Sequence, residues 1–150
     1  MTQTSPSFGH PASLPILRLT PDATLPTRAH AHDAGLDLYA LEDVLLEGGQ
    51  GKAARTGVAF AIPEGYVGLI ADRSSLGKKG LKTAGGVIDA GYRGEVQILL
   101  WNLTCESIQL KRGERIAQML ILPVATPAVT EVTTLDETAR GSGGFGSSGK

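Results

Sequence analysis

A single cysteine, Cys105, stands in the 150 residues, so no internal disulfide can form and a reducing compartment is the fitting one. Neither sign of charge dominates. The formal net charge is -1 and the pI is near 6.3, which leaves no electrostatic footprint for duplex nucleic acid. No apolar run reaches the roughly 18 residues of a membrane span. Residues 1–13 lack a positive cluster followed by an apolar core, so no secretory signal is expected there. These absences point to a cytoplasmic protein with no nucleic-acid and no membrane partner. There is no Ser-His-Asp arrangement. His30 and His32 are two apart, as metal ligands sometimes are, but only Asp33 stands near enough to extend the set, and a metal site is not expected there.

Hydrophobic residues make up 41% of the chain and charged residues 19%, the balance of an ordinary globular protein. The length fits one domain able to bury a core without staples. Glycine and proline carry more information. The 20 Gly and 8 Pro punctuate the chain at intervals that helices resist, since in a helix interior each Gly costs about 1 kcal/mol and each Pro about 3. Short strands with turns at that spacing predict an all-β sandwich or barrel.

Met1 to Ser13 reads as a disordered tail. Strands are expected over Leu14 to Thr20, Asp33 to Ala40, Tyr66 to Ala71, Val96 to Trp101, Ile108 to Leu110, Ile116 to Pro123 and Ala128 to Leu135, with two or three more over Val44 to Leu46 and Ala53 to Ile62. Trp101 is expected in the core or in an interface. Cys105, just past an apolar strand, is expected to be buried or half-buried. Asp37 alternates with Leu36 and Leu38, which puts its carboxylate on the face opposite theirs, where most such acids are solvated.

Four places depart from this plain pattern. Asp72 to Gly80 (DRSSLGKKG) is the one natural site for a short helix, with Ser74 as cap and Gly80 as stop. A strand ending in Arg-Ser-Ser offers a guanidinium and two hydroxyls, which suit an anion such as phosphate; a capped surface turn would look the same. Gly86 to Glu95 (GVIDAGYRGE) puts Asp89 and Tyr92 three apart in a glycine-rich turn. It reads either as a hairpin with a capping Asp or as a loop holding a carboxylate and a ring against a ligand. Gln118 is alone among the apolar residues of IAQMLILP and must find hydrogen bonds or an edge. Arg140 to Lys150 (RGSGGFGSSGK) has too much chain entropy to pack by itself, but it could order over a ligand as a lid. Its glycine amides and Arg140 would grip phosphate while Phe145 stacks on a ring. It does not fit the GxxxxGK[ST] phosphate loop, because no strand and helix flank it.

Five stretches stand in order: AGLDLYA, DRSSLGKKG, GGVIDAGYRGE, RGERIAQ and RGSGGFGSSG. Together they closely resemble the five motifs of the trimeric deoxyuridine triphosphatases (dUTPases), from about residue 34 to the C-terminus. The resemblance implies an all-β fold, a jelly-roll-like β-barrel of the β-clip type with one short helix. The domain would span residues 14–139, with a flexible C-terminal arm at 140–150 closing over the active site. It implies a homotrimer with active sites between subunits. It implies hydrolysis of dUTP to dUMP and pyrophosphate, with Mg2+ held on the triphosphate and by no protein side chain directly.

By the same resemblance, Asp89 would orient and deprotonate the attacking water, and Tyr92 would pack on the deoxyribose where a ribose 2′-hydroxyl would clash. Backbone groups of Gly86, Val87 and Ile88 would read the uracil edge. Arg73, Ser74 and Ser75 would hold phosphate oxygens, and Gln118 would support the phosphate and water network. Asp37 would help through ordered waters and the neighbouring subunit. Arg140 would bind the γ phosphate, with Phe145 and Gly146 closing over the base. Asp72 stands where the family usually has Pro, and an acid there would weaken the grip of Arg73 unless its side chain points away. Thr83 stands in a short hairpin where some members have Asn, which leaves base reading to main chain. The related dCTP deaminases place a catalytic Glu on the strand after the Asp, and here that strand, VQILLWN, has no acid. A non-catalytic nucleotide sensor with the same fold is the other rival, and it would not need the water-activating Asp89.

Overall fold

A computed structural model describes residue 11 and residues 13–142. In chain order the strands are β1 (Ile16–Arg18), β2 (Leu36–Tyr39), β3 (Val44–Leu46), β4 (Gly51–Arg55), β5 (Val58–Phe60) and β6 (Tyr66–Ala71). The short helix α1 (Ser74–Gly77) follows, then β7 (Leu81–Ala84), β8 (Val87–Ile88), β9 (Gln97–Asn102), β10 (Ile108–Leu110) and β11 (Arg115–Pro123). The all-β reading with one short helix therefore stands.

Two sheets position everything that follows. One runs β2-β11-β6-β8 and the other β4-β9-β7; β1 pairs with β5 and β3 with β10 in two-stranded ladders. Every named pairing is antiparallel. No hydrogen-bonded ring closes round the molecule among the described residues. The longest strand, β11, is flanked by β2 and β6, which lets it carry residues from one sheet edge toward the other.

The core forms where inward faces meet. Leu38, Phe60, Ile98, Leu100, Ile116 and Met119 are fully buried, and burying each such side chain is worth about 1.5–3 kcal/mol. In β9 the alternation is strict: Ile98, Leu100 and Asn102 point in, while Leu99 and Trp101 point out. Asn102 is the polar member of that inward row and is fully satisfied. Its Nδ2 donates to the carbonyls of Leu46 (3.0 Å) and Glu106 (2.7 Å). Its Oδ1 accepts from the amide and hydroxyl of Thr104, at 3.0 and 2.8 Å.

Several expectations are corrected. Residues 124–142 contain no strand, so the one expected over Ala128 to Leu135 is absent, and Val129, Val132 and Leu135 are exposed. These apolar side chains find nothing in the described chain to pack against. Trp101 is 46% exposed and so is Leu99, because both lie on the outward face of β9; of the two places expected for Trp101, the core is excluded. Cys105 is exposed, since it sits in the turn after β9 rather than on the strand. Of the expected tail, only Pro11 and Ser13 fall within the described residues.

Candidate active site

The register of β11 builds one half of the site. Asp37 on β2 lies directly opposite Gln118, and Gln118 lies opposite Ala71 on β6. Directly paired residues share a face of the sheet, so Asp37 and Gln118 project together. Arg115 is three residues before Gln118, an odd spacing that would put it on the other face of a regular strand. A bulge between Arg115 and Ala117 corrects this: Arg115 pairs with Tyr39, and the side chains on both sides of the irregularity share one cleft.

Asp37 was expected to be solvated and is not. Only 9% of the residue is exposed, and both carboxylate oxygens are engaged by arginines. Arg73 Nε lies 3.0 Å from Oδ1, and Arg115 Nη1 lies 3.2 Å from Oδ2. Arg73 also donates to the Arg115 carbonyl at 3.1 Å. A carboxylate between two guanidiniums leaves this corner with net positive charge, and it fixes both arginines in place. Gln118 donates from Nε2 to the Asp72 carbonyl at 2.8 Å. Gly35 leaves room for that side chain, because a Cβ built there would lie 1.9 Å from Gln118 Oε1.

Arg73 precedes α1 in an extended conformation (φ -92°, ψ 129°) and forms its N-cap without a side-chain hydrogen bond. The expected cap by Ser74 does not occur, because Ser74 is already inside the helical turn. Ser74 and Ser75 are exposed instead, and both line the cleft. Gly80 ends the turn as expected, at φ +84°. The cleft has a volume of about 520 Å³ and is lined by Asp37, Arg73, Ser74, Ser75, Arg115 and Gln118, among others. Two arginines, two hydroxyls and an amide suit a phosphate chain.

A second group of candidate residues lies on the glycine-rich turn. Asp89 and Tyr92 line a separate cavity of about 420 Å³ with Val87, Ile88, Glu95 and Leu99. The Tyr92 amide donates to the Asp89 carbonyl at 3.0 Å, and the Tyr92 hydroxyl donates to the Glu95 carbonyl at 2.9 Å. These two bonds hold the ring against the turn. The Glu95 carboxylate accepts from Arg55 Nε (3.1 and 3.2 Å) and from the Gly57 amide (2.8 Å), which pins the turn to the sheet. Asp89 itself is exposed.

β8 is the outer strand of its sheet. The Ile70 amide donates to the Gly86 carbonyl at 2.8 Å, and Val87 lies opposite Leu69. Main-chain bonding alternates along an antiparallel ladder, so Val87 turns its own N–H and C=O outward along the free edge. A donor and an acceptor side by side match the edge of a pyrimidine base. Gly86 lets the start of β8 lie this close to Ile70 on β6. Its φ is +101°, and a Cβ there would lie 2.7 Å from the Ile70 Cβ.

Asp72 points away from the cleft. Desolvation raises its pKa, but hydrogen bonds from Lys82 and Thr83 outweigh that and hold it down at about 2. Arg73 therefore keeps its grip on the cleft beside an acid that serves a different neighbour.

The structure thus brings Asp37, Arg73, Ser74, Ser75 and Gln118 together. It places Gly86, Val87, Ile88, Asp89 and Tyr92 in a second group. Arg140 is exposed at the chain's C-terminal end; Phe145 and Gly146 lie outside the described residues. Reading the sequence missed Arg115 and Glu95. Arg115 stands in the RGERIAQ stretch with no role assigned to it there, and only the bulge aims it into the cleft. Glu95 closes the GYRGE motif, and its role depends on Arg55 and Gly57, far away in sequence. His30 and Asp33 meet at 3.1 Å, and among the described residues no three His, Cys, Asp or Glu side chains converge as a metal cage.

A family model for dUTPase matches residues 21–149. The chain belongs to the dUTPase family. It is 51% identical over 146 residues to a deoxyuridine 5'-triphosphate nucleotidohydrolase from Mycolicibacterium gilvum, covering 91% of this chain and 95% of the relative. It is 48% identical to one from Rhodococcus erythropolis, covering 91% and 86%. Among solved structures, it superposes on a dUTPase of Staphylococcus bacteriophage 80alpha with dUpNHpp at a TM-score of 0.87. The identity there is 34%, over 93% of this chain and 100% of that one. It also matches a mutant dUTPase of phage phi11 of S. aureus, described with a structural Mg(II) ion, at a TM-score of 0.76 and 32% identity, over 81% and 97%. The fold is accordingly jelly-roll-like, and the chain is a dUTP diphosphatase, an enzyme of nucleotide metabolism that hydrolyses dUTP.

Proposed function

We propose that this enzyme cleaves dUTP between the α and β phosphates, using a water activated by Asp89, in sites assembled between the chains of a homotrimer. The observation that carries this reading is the division of the site. Phosphate-binding chemistry lines one cavity, and base, sugar and water chemistry lines another. Neither cavity alone holds all the groups needed for the reaction, and a neighbouring chain can supply the missing half.

In such a site the Val87 main chain reads the uracil edge, with Gly86 and Ile88 shaping the approach. Tyr92 packs against the deoxyribose. Arg73, Ser74, Ser75 and Arg115 neutralise and orient the phosphates, and Gln118 supports their water network. Asp89 takes the proton of the attacking water, which needs only hydrogen-bond reach. Arg140 holds the γ phosphate, while Phe145 and Gly146 close over the base. Water attacks a polyanion slowly, so positioning and charge neutralisation supply most of the acceleration. The products are dUMP, a precursor for thymidylate synthesis, and pyrophosphate.

A magnesium ion fits the cleft as a passenger on the triphosphate. The Asp37 oxygens are taken by arginines, so that carboxylate reaches a hydrated ion only through water. When bound, the ion adds charge neutralisation at the phosphates. A cytoplasmic location suits the nucleotide substrate and a lone exposed cysteine.

The test is complementation between two inactive variants. Asp89→Asn chains and Arg73→Ala chains are each assayed for pyrophosphate release, then co-assembled. Shared sites predict regained activity, because some sites then combine an intact Asp89 with an intact Arg73. Mixed assemblies as inactive as their parents would place each site within one chain. Side-by-side assays on dUTP, dTTP, dCTP and UTP should show turnover of dUTP alone.

A further inference from the structure

Asp72 makes contacts that gripping phosphate does not require. One carboxylate oxygen accepts from the Thr83 amide at 2.7 Å and from the Thr83 hydroxyl at 2.6 Å. The other pairs with Lys82. Its backbone carbonyl meanwhile accepts from Gln118 at 2.8 Å. The same residue is thus bonded to β7 through its side chain and to β11 through its main chain, and the next residue is Arg73.

The two strands of the hairpin from Leu81 to Ile88 lie in different sheets. β7 pairs with β9, whereas β8 pairs with β6. Gly85 and Gly86 make the crossing, both at positive φ. The far side of the crossing is held by the bond from the Ile70 amide to Gly86. Its base is held by Asp72, which directly follows β6 and reaches across to Thr83. Ala84, the next residue, lies opposite Leu99, and Leu99 lines the cavity of Asp89 and Val87.

We propose that Asp72 is a positioning residue that locks the base-reading hairpin to the phosphate-gripping turn. This rests on the reading that Gly86 to Ile88 recognise uracil. A half-exposed ion pair with Lys82 would do little by itself. The two Thr83 bonds are different: they are directional, partly buried and converge on one oxygen. With them gone, Gly85 to Val87 can drift from the close approach that separates uracil from its 5-methyl analogue. The same loss frees Gln118 and Arg73 to shift.

The experiment compares kcat/KM for dUTP and dTTP in the wild type, Asp72→Asn, Asp72→Ala and Thr83→Val, with oligomeric state and Tm measured alongside. Asp72→Ala should reduce the dUTP-over-dTTP ratio about tenfold and raise KM for dUTP, as expected for losing hydrogen bonds to a charged acceptor. Thr83→Val should show a smaller loss, and Asp72→Asn should stay near wild type because its amide oxygen still accepts both Thr83 bonds. A correctly assembled Asp72→Ala enzyme with lower Tm and an unchanged ratio would make Asp72 merely structural and overturn the inference. If that variant does not fold, Thr83→Val decides, and an unchanged ratio there overturns it equally. Equal turnover of dCTP and dUTP by the wild type would overturn the base-reading role of the hairpin, because cytosine and uracil differ at the edge that Val87 reads, in a protein where Asp72 is untouched.

Discussion

Gly35 and Gln118 are packed so that a single methyl group at residue 35 would occupy the position of the Gln118 amide oxygen, 1.9 Å from the built Cβ. The clash is with the end of a flexible side chain, so Gly35→Ala should fold. Gln118 would have to rotate and release the Asp72 carbonyl. Displacing a group that positions reactants can lower rate by about ten- to a hundredfold. We therefore expect kcat for dUTP to fall in that range with Tm nearly unchanged. A variant with full activity would show that Gln118 is a bystander.

Asp89→Asn should bind dUTP and barely turn it over. The amide keeps the size of the carboxylate but cannot take a proton, and general-base catalysis is typically worth about 10²–10⁴-fold. Calorimetric titration with the substrate and pyrophosphate release measured on one preparation separate the two effects. Retained turnover would identify a different base.

The legible parts of the chain were those governed by local pattern. β6 was readable because Tyr66 to Ala71 is apolar and bounded by turn residues, and the placing of Asp89 and Tyr92 against one cavity because they stand three apart in one glycine-rich turn. The misread parts depend on partners distant in sequence. Asp37 looked solvated because alternation puts it opposite Leu36 and Leu38, and nothing local shows that Arg73 and Arg115 close over it. Arg115 was missed because a bulge changes its face, and bulges leave no periodic trace. Trp101 was expected in the core or an interface, and in β9 it is register that excludes the core, because the inward positions are held by Ile98, Leu100 and Asn102. Ala128 to Leu135 was expected as a strand from its composition, but composition cannot supply the neighbour that a strand must pair with.

Asp72 also sets an acid dependence. Its pKa is about 2 in the folded chain against an ordinary 3.8, so the folded state binds this proton less readily than the unfolded state does. Its contribution is complete above roughly pH 4 and is lost as the pH falls toward roughly 2. Asp43, lowered by its bonds from Lys111 and Arg112, acts in the same direction. Asp72→Asn cannot titrate, so its stability should fall less steeply than the wild type's across that window. Denaturant midpoints measured at several pH values decide this, and parallel curves would remove Asp72 as a contributor.

Deleting Arg140 to Lys150 should leave the β domain folded and the oligomer assembled, because among the described residues the core cluster extends no further than Ile121. On the proposed reading, in which the arm orders over the ligand, grips the γ phosphate and excludes bulk water, the rate on dUTP should drop sharply. Size-exclusion chromatography and pyrophosphate release test the two parts separately. Dissociation of the truncated oligomer would make the arm a structural strap.

Asn102→Ala should destabilise the fold far more than its position after a surface-facing tryptophan suggests. Both Nδ2 hydrogens and both lone pairs of Oδ1 are used in a fully buried site, linking the Leu46 and Glu106 carbonyls to Thr104. Truncation leaves at least one buried carbonyl and one amide without their partners, at about 1–3 kcal/mol for each unsatisfied group. Asn102→Asp is no substitute, because a carboxylate cannot donate to the two carbonyls and would be buried unpaired. Both variants should show a lower urea midpoint with an unchanged m-value, and the surviving folded enzyme should keep its KM for dUTP. A wild-type midpoint for Asn102→Ala would mean that water replaces the side chain and that the turn from β9 to β10 is held by other bonds.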